Sequence, residues 1–327
     1  MNYRRLGNTN LKISELSFGT WAIGGSWGDV NDQDAIAGLK KAMDLGVNFF
    51  DTADVYGAGH SEELLAEATK GKEDKIYIAS KFCRAGDIHD PATYSEESVR
   101  NYLENTLRRL NRDRLDLYQI HCPPLEILKD GKVFEVLDKL QAEGKIRYYG
   151  VSVETVEEAL LCMEYKNVRV LQIIFNLFRQ KPVSELFPVA IDKGVGILAR
   201  VPLASGLLTG KFTSDHAFAE DDHRKFNSDG QQFNVGETFA GLPFEKGVEL
   251  SSEVSWIADG RGNMTQAALK WILQHHAISA VIPGFRNVNQ VEDNLKALET
   301  SKFTPKEMNR IQEFYNNKVH DHIRGAY

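Results

Sequence analysis

Cysteine and long apolar runs are both scarce in this sequence. Three cysteines, Cys83, Cys122 and Cys162, occur among 327 residues, and no CxxC spacing joins them. This pattern indicates neither a disulfide framework nor a zinc site, and it fits a reducing compartment. No run approaches the roughly 18 consecutive apolar residues of a membrane span, and the first residues, MNYRRLGNTNLKIS, contain no apolar signal core. We therefore expect a cytoplasmic protein without a membrane partner.

Positive charge is not in excess either. Lys and Arg total 39 against 46 Asp and Glu, and the resulting net charge of −7 argues against a nucleic-acid partner. A local basic pocket around a single phosphate is still compatible with this balance. Gly and Pro are not enriched, so a fibrous or disordered chain is not indicated. We expect one domain over residues 1–327, because no linker marks a second, and the sequence indicates no particular oligomeric state.

Short apolar runs alternate with segments of helical period from Leu16 onward. Eight such runs occur: ELSFGT, VNFFDTA, KIYIASK, RLDLYQIH, IRYYGVS, RVLQIIFN, VGILARVP and ISAVIPG. The predicted helices between them include DQDAIAGLKKAMDLG, SEESVRNYLENTLRRL, KVFEVLDKLQAEG and TVEEALLCMEY. This rhythm predicts an α/β fold, a closed (β/α)8 TIM barrel. The alternative is an open doubly wound sheet, which usually carries GxGxxG in its first βα turn, and no such motif occurs there.

Several segments do not fit this alternation of strands and helices. YRRLGNTNLKIS predicts an N-terminal β-hairpin on the barrel floor, and FEKGVELSSEVSWIADG and TPKEMNRIQEFYNN predict extra helices near the C-terminus. Residues 212 to about 243 are polar and predict a long surface loop, for which a lid and an insertion without a role are both open. The final residues, VHDHIRGAY, either fold across the mouth of the barrel or fray.

Four polar residues follow consecutive predicted strands. Asp51 ends the second run with Tyr56 in the loop behind it, Lys81 ends the third run, and His121 ends the fourth. Because the carboxyl ends of barrel strands meet around one hollow, we expect these four side chains to share a pocket. Any one of these residues alone is better explained as structural, but their succession on neighbouring strands favours function.

This set of side chains suits proton delivery. Free tyrosine has a pKa of about 10, and a nearby Lys81 ammonium would stabilise the tyrosinate form of Tyr56 and lower that value. Asp51 would hold the ammonium in place, and His121 would either donate a hydrogen bond to a developing oxyanion or help to relay the proton. The set contains no redox-active group, so the electron donor must come from outside the chain.

The chain resembles the aldo-keto reductase family in these and other stretches. The matching segments are NFFDTADVYGAGHSEELL, IYIASK, LDLYQIH, GVS, LQIIFNLF, PLASGLLTGK and IPGFRNVNQVEDNL, in family order over nearly the whole chain. The resemblance implies a (β/α)8 barrel that reduces aldehydes or ketones with NADPH. It also implies that Asp51, Tyr56, Lys81 and His121 are the catalytic tetrad, with Tyr56 as general acid. Asp54 has no role in the family pattern and is interpreted as a loop or cap residue.

Two stretches near the last strands are suited to a dinucleotide. PLASGLLTGK offers Ser205, Gly206 and Gly210 for close backbone approach and Lys211 as a cation for the pyrophosphate. IPGFRNVNQVEDN opens a helix whose amino end, with Arg286, would clamp a phosphate. The resemblance places Arg286 on the 2′-phosphate, which predicts a preference for NADPH over NADH. It assigns the adenosine end to Gly284, Arg286, Gln290 and Asn294, and further cofactor contacts to Gly19, Thr20, Trp21, Asp51, Pro202, Leu203 and Leu208.

The nicotinamide side departs from the family pattern at two positions. The resemblance gives the carboxamide to Ser152 and Gln172, but the chain reads GVSV where the family commonly has GVSN, so Val153 lacks the expected amide. Arg200 stands where many members place an aromatic ring. Arg200 is a cofactor candidate, by stacking on the nicotinamide, and ordinary ion pairing is an equally good interpretation.

The substrate and three other function classes complete these expectations. Trp21, Trp27, Tyr56 and His121 suggest an apolar, partly aromatic substrate pocket. An NADP(H)-binding redox-sensing regulatory subunit with little turnover is the main alternative. A metal-dependent hydrolase is disfavoured because the only HxH motif lies in the tail, so no metal site is expected. A glycosidase would need a second strand-end acid opposite the first.

Overall fold

The computed structural model describes residues 1–25 and 31–327; Trp27, predicted near the substrate, lies outside these ranges. Eight parallel strands stand side by side in chain order. Their bounds are β3 Phe18–Gly19, β4 Phe49–Asp51, β5 Tyr77–Phe82, β6 Leu115–His121, β7 Ile146–Ser152, β8 Val168–Ile174, β9 Gly196–Arg200 and β10 Ile278–Val281. The backbone of Ser17 donates to Val281 (3.0 Å) and that of Gly19 to Pro283 (3.1 Å), which joins the first strand to the last. The predicted TIM barrel is confirmed.

An antiparallel hairpin precedes the barrel. Its strands, β1 Tyr3–Arg5 and β2 Lys12–Ser14, pair in the register Tyr3 with Ser14. Leu6, Leu11 and Ile13 of the hairpin are fully buried against inward-facing strand residues such as Phe49 and Leu117. Because these strand residues sit at the amino ends, the hairpin closes the floor of the barrel, as the sequence predicts.

The helices surround the barrel and follow the predicted pattern. Their bounds are α1 Asp32–Asp44, α2 His60–Thr69, α3 Glu96–Leu110, α4 Leu125–Asp130, α5 Lys132–Ala142, α6 Val156–Cys162, α7 Pro182–Glu185, α8 Phe187–Lys193, α9 His223–Phe226, α10 Phe244–Glu253, α11 Met264–Leu273, α12 Val288–Leu295 and α13 Pro305–Phe314. Side-chain caps define several starts, including a capping box between Thr155 and Glu158 on α6. In α3 the buried residues Val99, Leu103 and Leu107 recur every four positions and face the strands. No helix within the described ranges is long and apolar enough to cross a membrane.

Residues 212–243, called the cap segment below, differ from the predicted surface loop. They contain α9 and two short 3-10 turns, Val235–Glu237 and Phe239–Gly241. Several of their side chains are buried, among them Asp222, His223, Asn227, Glu237, Thr238 and Phe239. Two internal bonds stabilise the segment: Asn227 Nδ2 donates to Thr238 Oγ1 (3.0 Å), and Asn227 Oδ1 accepts from the Gln232 amide (2.9 Å). The sequence of the segment shows no helical period because the segment folds as short turns and one four-residue helix.

Candidate active site

The predicted tetrad converges at the carboxyl end of the barrel. Asp51 is the last residue of β4, Lys81 lies one residue before the end of β5, and His121 ends β6. Tyr56 begins a 3-10 turn, Tyr56–Gly59, directly behind β4. Since parallel strands end at the same rim, these side chains meet above the barrel axis.

Lys81 connects two members of this group. Its Nζ donates to Asp51 Oδ1 at 2.5 Å, to the Thr52 carbonyl at 2.8 Å and to Tyr56 Oη at 3.4 Å. Both Lys81 and Asp51 are buried. Burial opposes the charge on Lys81, but Asp51 and Tyr56 together raise its pKa above the ordinary value. The ammonium is therefore charged at neutral pH and held against the phenol.

The acidity of Tyr56 departs from the sequence prediction. Burial raises the pKa of Tyr56 above its ordinary value, and the Lys81 ammonium offsets only part of this rise. The expected net lowering is wrong for this structure, because desolvation of the phenolate outweighs the neighbouring cation. Tyr56 consequently keeps its proton at neutral pH, which is the state that a proton donor needs.

Asp51 is fixed from its other side by two amides. Its Oδ2 accepts from Gln119 Nε2 at 3.1 Å and from Gln172 Nε2 at 2.8 Å. Gln172, expected to hold a carboxamide, thus also orients Asp51. Gln119 was not among the sequence candidates, although it lies two residues before His121 and so faces the same side of β6. The two amides therefore fix the carboxylate of Asp51, which in turn binds the Lys81 ammonium.

His121 is neutral in this setting. Burial lowers its pKa well below the ordinary value, and the charges of Arg84, Lys81 and Arg200 lower it further. Its ring lies 5.9 Å from the Tyr56 ring, edge to face. Its Nδ1 is buried and has no hydrogen-bond partner among residues 1–25 and 31–327. A neutral imidazole beside a phenol can orient a carbonyl oxygen without adding charge to the site.

Asp54 lies in the same loop but caps no helix. It is 7% exposed, and neither of its carboxyl oxygens has a hydrogen-bond partner within the described part of the chain. Burial and the nearby Glu62 charge raise its pKa to about 7, against a weaker opposing effect of Arg109. The interpretation of Asp54 as a cap is not supported, because the 3-10 turn that follows it has no side-chain cap.

A cavity of about 640 Å³ extends from the tetrad to the amino end of α12. Most of the predicted cofactor residues line it, namely Gly19, Trp21, Asp51, Gln172, Arg200, Pro202, Leu203, Ser205, Gly206, Lys211, Gly284, Arg286, Gln290 and Asn294. Lys211, Arg224 and Arg286 supply cations along its wall. A cavity with the Tyr56 phenol at one end and cations with a helix amino terminus at the other has the charges that a dinucleotide requires.

Four predicted cofactor residues lie outside this wall. Thr20 is buried, where its hydroxyl donates to the Asp51 carbonyl (3.1 Å) and accepts from Ser61 (2.6 Å). Ser152 is buried with its hydroxyl 3.4 Å from Cys122 Sγ. Leu208 packs into the core, and Gly210 is exposed, with a φ of +69° that favours glycine. Since these four residues do not line the cavity, they can affect its shape only through their backbone or through packing in the core.

Residues of α12 and of the turn before it shape the far end of the cavity. Gln290 Oε1 accepts from the Arg286 backbone amide at 2.7 Å, and Asn294 Nδ2 donates to the Gly284 carbonyl at 3.2 Å. Asn287 caps the helix by accepting from the Gln290 amide at 3.0 Å. These bonds fix the turn that carries Arg286, so the helix amino end and the guanidinium face the same cavity.

The departures at Val153 and Arg200 are connected. Arg200 Nη2 donates to the Val153 carbonyl at 3.1 Å and to Glu154 Oε2 at 2.9 Å, and its Nη1 lies 3.5 Å from Glu237 Oε2. Arg200 is therefore ion-paired while it also lines the cavity. The Val153 side chain is fully buried, so only its backbone takes part.

A second cavity, of about 970 Å³, meets the first at the tetrad. Trp21, Tyr56, His121 and Glu237 line both cavities. The predicted aromatic character is present in Trp21 and in two further rings of this wall, Phe226 and Phe233. The wall also carries the charged residues Arg84 and Glu154, which no local sequence pattern marks.

The cap segment is attached to the barrel and to the C-terminal residues. Ser205 Oγ donates to the Glu237 carbonyl and accepts from the Phe239 amide, both at 3.1 Å. The Arg324 guanidinium donates to the Gly241 carbonyl at 3.0 Å and to Asp229 Oδ1 at 2.5 Å. The last residues thus pack on the cap segment instead of fraying, and Ala326 reaches the wall of the second cavity.

Comparisons with known proteins agree with this geometry. The chain is 30% identical over 299 residues to aldo-keto reductase YhdN from Bacillus subtilis, covering 89% of this chain and 87% of that protein. It is 30% identical to the aldo-keto reductase yakc [NADP(+)] from Schizosaccharomyces pombe, over 96% and 91% of the two chains. It is 28% identical to a probable voltage-gated potassium channel subunit beta from Oryza sativa subsp. japonica, over 97% and 98%.

A solved structure and a family profile give the same result. The glycerol dehydrogenase AKR11B4 from Gluconobacter oxydans superimposes with a TM-score of 0.79 at 29% identity, covering 100% of this chain and 98% of that one. The profile described as the Aldo/keto reductase family matches residues 15–316. With its barrel fold and strand-end residues in family order, the chain belongs to the aldo/keto reductase family of oxidoreductases.

Proposed function

We propose that this protein reduces aldehyde or ketone carbonyls to alcohols with NADPH. The observation that carries the proposal is the Lys81 ammonium, which hydrogen-bonds both Asp51 and Tyr56 at the cavity wall beside a neutral His121. Bound NADPH would supply the hydride that the chain itself cannot provide. The chain's own residues would orient the carbonyl and supply the proton.

Each tetrad residue has a distinct task in this proposal. Tyr56 Oη donates its proton to the carbonyl oxygen as negative charge develops there. Lys81 stabilises the resulting tyrosinate, and Asp51 keeps Lys81 in place. His121, uncharged, donates a hydrogen bond that positions the carbonyl oxygen. In the alcohol-to-carbonyl direction the same groups act in reverse.

The preference for NADPH rests on the cations at the far end of the first cavity. Arg286 lines this end next to the amino terminus of α12, where a 2′-phosphate would be favourable. The yakc relative carries NADP(+) in its name. We expect Arg286→Ala to lower the ratio of kcat/KM for NADPH to that for NADH at least tenfold, because NADH presents no charge for this guanidinium. An unchanged ratio would contradict this assignment.

The test of the reaction is the oxidation of NADPH, followed at 340 nm, with a panel of aldehydes and ketones. Wild-type protein should turn over, and Tyr56→Phe should lose at least a hundredfold in kcat, since general acid catalysis contributes about 10²–10⁴. Lys12→Gln, an exposed substitution on the opposite hairpin, should leave turnover unchanged. NADPH binding measured by quenching of protein fluorescence shows whether Tyr56→Phe still folds. Full turnover in Tyr56→Phe would refute the mechanism.

A redox-sensing regulatory role is the second candidate. The similarity to the rice channel subunit beta over nearly the full length of both chains supports keeping it. A sensor would bind NADPH but transfer hydride slowly or not at all. A single-turnover experiment with a reactive aldehyde separates the two roles, because a sensor leaves the bound NADPH unoxidised over many minutes.

The location and the partners of the protein are inferred from its thiols and its net charge. We propose a cytoplasmic location, which suits the three free, buried thiols Cys83, Cys122 and Cys162. We propose small carbonyl compounds as the partners, and no nucleic acid, because the net charge is negative.

A further inference from the structure

The turn that follows β9, residues 201–206, contains several unusual backbone angles, and we call it the strained turn. Val201, Ala204 and Ser205 have φ angles of +49°, +48° and +55°, and Gly206 has a φ of +101°. Positive φ is uncommon for any residue with a side chain, and for a β-branched residue such as Val201 it is strongly disfavoured. The turn keeps this conformation only where neighbouring groups hold it.

The strained turn forms part of the wall of the first cavity. Five of its residues line this cavity: Val201, Pro202, Leu203, Ser205 and Gly206. The Ser205 hydroxyl also joins the turn to the cap segment, by donating to one backbone carbonyl and accepting from one backbone amide. The backbone angles of the turn therefore determine the shape of this part of the cavity.

Asn176 holds the start of the strained turn from the neighbouring strand. It lies two residues after the end of β8, and it is fully buried. Its Nδ2 donates to the Val201 carbonyl at 2.9 Å, and the Ala204 amide donates to the same carbonyl at 3.1 Å. Its Oδ1 accepts from the Phe178 amide at 2.9 Å. Because both ends of the side-chain amide are bonded to backbone, its orientation is fixed.

We propose that Asn176 is a positioning residue for NADPH: its amide keeps the strained turn in the conformation that binds the cofactor. This inference rests on the proposed function. Asn176 lies outside the walls of both cavities, so it acts through the Val201 carbonyl. A turn that is formed in advance adds no ordering cost to binding. If only a fraction of the molecules had the turn formed, the apparent Kd for NADPH would rise by the inverse of that fraction.

The substitution Asn176→Ser tests this role. A serine hydroxyl can still accept from the Phe178 amide, as short polar side chains do in such turns, but it is one bond shorter than the amide and does not reach the Val201 carbonyl. We expect the Kd for NADPH, measured by quenching of protein fluorescence, to rise about tenfold. The KM for NADPH should rise by the same factor, with kcat at saturating NADPH changed by less than about twofold, because the tetrad is intact.

Val201→Gly supplies a rescue, since glycine adopts positive φ without strain. In the background of Val201→Gly, Asn176→Ser should therefore change the Kd by less than about twofold. The matched control is Asn48→Ser on the barrel floor. The Asn48 side chain also makes two backbone bonds, donating to the Lys12 carbonyl at 2.9 Å and accepting from the Ser14 amide at 2.7 Å. Losing these bonds lowers stability but should leave the Kd unchanged.

The outcomes separate this role from the proposed function. An unchanged Kd in Asn176→Ser, or an equal rise with and without Val201→Gly, would overturn the positioning role. If Asn176→Ser does not fold, hydrogen exchange of wild-type protein gives the answer: the Ala204 amide should be protected before NADPH is added, and protection that appears only with NADPH would overturn the role. Wild-type protein that does not bind NADPH would overturn the proposed function itself.

Discussion

Asp54 gives the most direct test of the electrostatics around the tetrad. Its carboxyl group is buried, and its pKa is raised from 3.8 to about 7 by burial and by Glu62. The folded protein therefore keeps this proton up to about pH 7, whereas the unfolded chain releases it near pH 4. Between these pH values the folded state binds more protons, so this group lowers the free energy of unfolding as pH rises.

The size of the effect follows from the pKa difference. A shift of about three units corresponds to roughly 4 kcal/mol, fully expressed above pH 7 and absent below pH 4. Asp54→Asn removes the titrating proton and keeps the shape. We therefore expect the variant to be more stable than wild type at pH 8, by up to about 4 kcal/mol, and nearly equal to it at pH 4.

Urea unfolding at several pH values between 4 and 8 measures this difference. Asp113→Asn, at an exposed position, serves as the control and should follow wild type throughout. If Asp54→Asn and wild type differ by the same amount at every pH, then Asp54 does not carry a raised pKa, and the reasoning about burial in this loop is refuted.

Three further predictions concern contacts described above. Lys81→Met leaves Asp51 buried without its cation and should destabilise the protein by about 3–5 kcal/mol in urea unfolding, whereas adding Asp51→Leu should recover most of this loss; no recovery would mean that the pair is not coupled. Gln119→Leu removes one of two amide donors to Asp51 and should lower the free energy of unfolding by about 1–3 kcal/mol in the same assay. An unchanged urea midpoint would contradict a stabilising role of this hydrogen bond. Arg324→Ala should accelerate hydrogen exchange in the cap segment but not in the barrel strands, and uniform exchange rates would show that Arg324 does not anchor this segment.

The barrel and the tetrad could be predicted because their signals are local. Asp51 and His121 end their strands and Lys81 lies one residue before the end of its strand, and the barrel topology by itself brings strand ends together. The alternation of side chains along β6 could also have indicated Gln119, which shares a face with His121.

The ion-pair cluster of Arg84, Glu154, Arg200 and Glu237 could not be predicted from sequence. Its members come from the loops after β5 and β7, from the end of β9 and from the cap segment, whose turns have no period. Their pairing depends on how the cap segment packs, which is a tertiary property. The net direction of the Tyr56 pKa shift was missed for the same reason, because the degree of burial decides it.

The contacts of Lys81 also determine which way the Tyr56 hydroxyl proton points. An ammonium has three N–H groups and no lone pair, and Lys81 has three acceptors: Asp51, the Thr52 carbonyl and Tyr56. Since lysine can only donate, the phenol oxygen must accept from it, and the phenol's own hydrogen must turn away from Lys81. All three N–H groups of Lys81 are therefore used, and the hydroxyl hydrogen of Tyr56 is left to donate to an acceptor that enters the cavity.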